Sequence, residues 1–149
     1  MSERFSRFTG TTFMVSPAPV GFGIRFSVAD DQSVYAVVVF DESKQGGAGI
    51  LHGGAIAAVL DEAMGVAAYE SGHAGYTVTM TYNYKTHIPL GEEIMIRAWV
   101  DRVEGRKVFA LCEARLADDQ LAVDGSGIFV SSEVLQKQLQ LNPFIPQDK

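Results

Sequence analysis

The sequence predicts an α+β fold in which one long helix packs on an antiparallel sheet. Two observations carry that expectation. Residues 52–71 hold a helical hydrophobic period over several turns, whereas six other segments read as strands, most with alternation at a period of two. The later strands are separated by turns of three residues, EGR at 104–106 and DDQ at 118–120. Connections that short join successive strands as antiparallel hairpins. A lone helix must then bury its apolar stripe against the sheet.

In chain order, residues 22–28 (FGIRFSV) set Phe22, Ile24, Phe26 and Val28 against Gly23, Arg25 and Ser27, the pattern of a half-buried strand. DDQS at 30–33 is a turn, and VYAVVVF at 34–40 is a fuller apolar strand. A glycine-rich loop leads into the helix. Residues 76–85 then alternate Tyr76, Val78, Met80, Tyr82 and Tyr84 against Thr77, Thr79, Thr81, Asn83 and Lys85. Residues 93–103 set Ile94, Ile96, Ala98 and Val100 against Met95, Arg97 and Trp99, and 107–116 and 121–132 complete a sheet of about five to six strands. A short helix is expected after Glu133, before NPFIP. With no repeat and no linker, residues 1–149 read as one domain with peripheral tails at 1–20 and 133–149.

Hydrophobic residues make up 47% and charged residues 20%, the balance of a soluble globular domain. A net charge of −6 argues against nucleic acid and against an anionic membrane surface as partner. No apolar run is long enough to span a bilayer, and MSERFSRFTGTTF, which carries Arg4 and Arg7, holds no signal-peptide core. Cys112 is the single cysteine, so a reducing, cytoplasmic location is expected.

The helix has two informative sides. Ile56, Val59, Leu60, Ala63, Met64 and Ala67 recur as a regular core stripe. Gly54, Ala58, Asp61, Gly65 and Ala68 lie along another side, all small except Asp61. Either alanine is present as a good helix former and Asp61 is solvated, or a backbone or ligand approaches closely with one carboxylate set into the contact. Aspartate is a poor helix former and cannot cap from mid-helix, which favours the second reading. Glu62 reads as an ordinary rim charge. The glycines before the helix lack the Gly-Lys-Ser/Thr ending of a phosphate loop, and hairpin-joined strands do not supply a dinucleotide fold. Two readings of them stand: a tight helix entry, or free N–H groups around Gly53 and Gly54 aimed at an oxyanion.

HGGAIAAVLDEAMG, followed by TVTMTYNYKTHIPLG and VEGRKVFALC, closely resembles the hotdog-fold acyl-CoA thioesterases, in the branch that pairs a helix Asp with a Thr on the next strand. That branch includes the human thioesterase superfamily members of the Akt-modulator type. The resemblance covers about residues 46–130. It implies a long central helix wrapped by a curved antiparallel sheet, and hydrolysis of acyl-CoA to free acid and CoA. In that reading the Gly53 N–H polarises the thioester carbonyl, His52 shapes the turn, Asp61 activates water or attacks directly, and Thr77 orients the water or the carboxylate. It further implies a homodimer, alone or paired into a tetramer, with Asp and Thr of one subunit facing Gly of the other. Some relatives carry Asn six residues before the His, where this chain has Gly46 with Gln45 beside it. Lys85, Arg106 and Lys107 are candidates for the CoA phosphates, with plain solvated charge as the alternative. No separate cofactor is implied.

Other reactive residues read as ordinary structure. Cys112 alternates with Ala110 and Ala114 as a small core residue. His73 lies in a loop and His87 in a turn that can touch substrate, and three scattered histidines give no metal site. Ser126 lacks the spacing of a nucleophile elbow. Trp99 and Phe109 can flank a substrate channel or pack a subunit interface. Rival functions on the same fold are a non-catalytic acyl-CoA-binding module and a hydratase or dehydratase.

Overall fold

The computed structural model describes residues 4–5 and 12–141. The strands are β1 (Arg4–Phe5), β2 (Ser27–Val28), β3 (Val34–Val39), β4 (Gly75–Tyr84), β5 (Glu93–Glu104), β6 (Lys107–Arg115) and β7 (Leu121–Ser131). The helices are α1 (Thr12–Val15), α2 (Gly53–Glu70) and α3 (Glu133–Leu141). All seven strands form one antiparallel sheet in the order β1-β2-β3-β5-β6-β7-β4. The count exceeds the expected five to six because β1, a two-residue strand at one edge, is not among the segments read as strands from the sequence. The other edge is β4, whose free side is unpaired among the described residues.

The core lies between α2 and the concave face of the sheet. Ile56, Val59, Leu60, Ala63, Met64 and Ala67, the stripe read from the sequence, are all buried. Burying an aliphatic side chain of this size contributes about 1.5–3 kcal/mol. They meet Ile94, Ile96 and Ala98 of β5 and Val108, Ala110, Cys112 and Ala114 of β6. A side-chain carbon on Gly127 would lie 3.0 Å from Met64 Cε, so Met64 packs closely over the glycine of β7. Register shifts on β4, β5 and β6–β7 bend the sheet around the helix.

Two expectations at the N-terminal side change. Phe22 is half-buried and Ile24 and Phe26 are buried, yet only Ser27–Val28 joins the ladder. The Phe22 and Ile24 N–H groups instead donate to the Phe13 and Met14 carbonyls, and Gly23 (φ 63°) turns the chain between them. The stretch expected to be peripheral therefore contributes Met14 to the core. At the other end α3 forms as expected and docks Leu139 against Tyr69 and Ala74. Arg7 and the NPFIP segment lie outside the described residues. No described helix is long and apolar enough to cross a membrane.

Candidate active site

The start of α2 is built by its own side chains. His52 is the N-cap, and its Nδ1 accepts from the Gly54 N–H at 2.8 Å, which places the ring proton on Nε2. The Ala55 and Ile56 N–H groups both reach the His52 carbonyl. Of the first helical donors, the Gly53 N–H therefore stays without an acceptor among the described residues. The expectation that Gly53 and Gly54 both offer free donors is corrected: the cap consumes Gly54. His52 shapes this end as a capping group. In the preceding loop, Gln45 Oε1 accepts from the Gly49 N–H at 2.8 Å and so braces the glycine turn. A side-chain carbon on Gly46 would sit 3.0 Å from His52 Cα, which gives a packing reason for the missing asparagine.

The strand that faces α2 carries a correction with consequences for the site. Thr77 pairs with Phe129 and Thr79 with Ile128, so Val78 is a bulge residue. Strict alternation would set Thr77 opposite Tyr82 and Tyr84. The bulge turns it to their side, toward the helix. Three hydroxyls of β4 then lace α2: Tyr84 to the Gly53 carbonyl at 2.8 Å, Tyr82 to the Ala57 carbonyl at 3.1 Å, and Thr77 to Asp61 Oδ1 at 2.8 Å. Residues 53, 57 and 61 form one helical row at a spacing of four. Burial raises both phenols, which keeps them protonated as donors. Gly125 makes room for this lacing, since a side-chain carbon there would lie 2.5 Å from the Tyr82 ring.

Asp61 is half-buried on this row. Burial raises its carboxyl above the usual range, and the Thr77 hydroxyl partly offsets the rise. The pair is thus a carboxylate of increased basicity held in one orientation by a hydroxyl. Asp61 and Gly53 are not neighbours: eight residues at about 1.5 Å each separate them by about 12 Å along the helix.

Glu62 is not the rim charge expected. Its Oε1 is buried with no hydrogen-bond partner, and its carboxyl is pushed up to about 7, first by burial and then by the charge of Asp61. Residues 58, 59, 65 and 66, its neighbours one helical turn away, are Ala, Val, Gly and Val and offer no cation.

The three basic candidates fall at two ends. Lys85 follows β4 near the start of α2, while Arg106 and Lys107 lie at the β5–β6 turn, where the Arg106 carbonyl accepts from Ser131 opposite Gly75. From Gly75 to Lys85 the strand runs about 34 Å at about 3.4 Å per residue, so the three do not form one patch within a chain. Arg106 shares a polar groove with His73 and Lys137. Burial pushes the Cys112 thiol up to about 12, in keeping with a core role. Trp99 and Phe109 are covered by Arg97 and Arg102, whose guanidinium carbons stand 4.6 and 3.8 Å from the ring centroids. No metal-binding cluster occurs among the described residues. Sequence reasoning missed the tyrosine lacing and the burial of Glu62; Tyr82 and Tyr84 beside a small-residue helix side were the available signal for the lacing.

Residues 48–123, just over half of the chain, match the family described as Thioesterase superfamily. The acyl-coenzyme A thioesterase THEM4 of Bos taurus is 37% identical over 87 residues, which are 58% of this chain and 35% of that protein. The human acyl-coenzyme A thioesterase THEM5 is 30% identical over 104 residues, 69% of this chain and 39% of that protein. The chain thus spans little more than a third of the curated relatives it matches. A solved thioesterase superfamily protein superposes with a TM-score of 0.73 at 32% identity, over 75% of this chain and 55% of that one. Zebra fish thioesterase superfamily member 2 superposes with a TM-score of 0.68 at 24% identity, over 79% and 91%. Seven-stranded sheet, central helix and matched sequence agree: this chain belongs to the thioesterase superfamily.

Proposed function

We propose that this protein hydrolyses acyl-CoA thioesters, with Asp61 as general base and the Gly53 N–H as oxyanion donor. The observation that carries the reading is the Asp61–Thr77 pair, a half-buried carboxylate oriented by a hydroxyl at 2.8 Å. Asp61 takes a proton from water, the hydroxide adds to the thioester carbonyl carbon, and the oxyanion rests on the Gly53 N–H. Collapse breaks the C–S bond, and the CoA sulfur takes the proton held by Asp61, leaving free acid. The family name, the curated relatives and a solved neighbour crystallised with acetyl CoA support the substrate class.

The separation of about 12 Å within one chain is too long for Asp61 and Gly53 to serve one carbonyl. We therefore read the working unit as a homodimer, alone or doubled, in which Asp61 and Thr77 face Gly53 of the partner subunit. The exposed Tyr76 and Val78 on the free edge strand suit such a junction. Lys85, Arg106 and Lys107 remain candidates for the CoA phosphates, drawn from both subunits. One domain, a cytoplasmic location and the absence of any separate cofactor complete the proposal, the location resting on a single, buried cysteine.

Replacement of Asp61 by Asn tests the mechanism. Thiol release from acyl-CoA should fall by about 10²–10⁴-fold, the range for losing a positioned base. Turnover near that of the parent would refute the assignment, provided light scattering shows the same oligomer for both proteins.

A further inference from the structure

Asp61 and Glu62 are consecutive on α2, yet the mechanism uses only the first. At about 100° per residue the two carboxyls leave the helix on different sides. Asp61 meets β4, where the Thr77 hydroxyl holds it at 2.8 Å. Glu62 has a buried Oε1 without a hydrogen-bond partner. The groups around it are uncharged. Among the buried members of the core under α2, Cys112 is the one titratable residue, and β4 adds Tyr82 and Tyr84. Burial raises all three, which keeps them neutral near pH 7. Residues 12–24, which bring Met14 to the same core, carry no titratable side chain.

The nearest cations among the described residues are engaged elsewhere. Lys44 lies over the Phe22 ring, and Arg4 binds Glu70, eight residues or about 12 Å along the helix from Glu62. The helix α3, with Glu133 and Lys137, docks at Tyr69, about two turns along. His52 caps the opposite end, about 15 Å away. Two acids with no cation between them, set against an apolar core, must answer to each other. The charge of Asp61 already acts on Glu62, so Asp61 is the first of the two to ionise. Such coupling is reciprocal: an ionised Glu62 acts equally on Asp61.

We propose that Glu62 is a positioning residue for the hydrolysis, whose negative charge acts on Asp61 and makes it the stronger base. The inference rests on the thioesterase reading above. Burial and the Asp61 charge hold the Glu62 carboxyl up at about 7, so the gain enters near neutral pH. With coupling of about one pK unit, half of it expressed in the transition state, the gain is about threefold.

The test is kcat/KM for thiol release from pH 5.5 to pH 8.5, with the fastest of acetyl-, octanoyl- and phenylacetyl-CoA. Parent, Glu62→Gln and Glu62→Met are compared. The parent-to-variant ratio should grow about threefold across pH 7 for both variants. In parallel, carbon NMR follows the side-chain carboxyls of the parent, Glu62→Gln and Asp61→Asn. The Asp61 signal should show a second inflection at the Glu62 titration and lose it in Glu62→Gln. The Glu62 midpoint should move to lower pH in Asp61→Asn. A ratio constant with pH, as a packing role alone would give, overturns the proposal, and so does a Glu62 midpoint unmoved by Asp61→Asn. Absent turnover with the carboxyls still titrating as a pair overturns the hydrolase reading and upholds the coupling.

Discussion

Replacing Glu62 with Gln removes a charge that the fold holds at a cost. The folded carboxyl titrates at about 7 against 4.5 for the free side chain, with burial as the main cause and Asp61 as the second. At 1.36 kcal/mol per unit, the difference amounts to about 3 kcal/mol. The native state keeps the proton that the unfolded chain has already lost. Parent stability therefore falls as pH rises from about 4.5 to about 7 and is level above that. The Gln variant carries no such dependence at this site. Its advantage over the parent should grow by about 2.5 kcal/mol between pH 5 and pH 8, as read by urea unfolding of both proteins at one protein concentration. An advantage that is constant over that range would refute the buried-acid argument. So would a variant less stable than the parent at pH 8.

Two further outcomes follow from the hydrogen bonds at the site. Thr77→Val removes the hydroxyl that partly offsets the burial of Asp61, so the Asp61 carboxyl should titrate higher still. A base must be ionised, so the acid limb of the kcat/KM–pH profile should move to higher pH; an unmoved limb counts against the pairing. His52→Ala removes the N-cap of α2 and should cost about 1 kcal/mol in urea unfolding, whereas His52→Asn, itself a good cap, should recover most of it. Equal losses in the two variants would show that His52 acts otherwise than as a cap.

Much of this architecture is determined locally. The stripe from Ile56 to Ala67 has only one way to be buried, and the alternation on β5 and β6 assigns Ile94, Ile96, Val108 and Ala110 to the core without reference to anything distant. The helix start, its capping histidine and the odd carboxylate on a small-residue side are legible for the same reason: they depend on neighbours a turn away. What the linear chain could not reveal depends on contacts remote in sequence. The bulge at Val78 follows from how β4 must sit on β7 and α2 together, and it decides that Thr77 meets Asp61. Glu62 looks like a surface charge because helical phase specifies a direction and says nothing of what covers it. Its burial is a property of the assembled fold. Periodicity thus determined which residues form the core, and the family resemblance marked the candidate site residues. Only the tertiary structure decided which of them touch, because hydrogen bonds and desolvation at this site join residues sixteen or more positions apart.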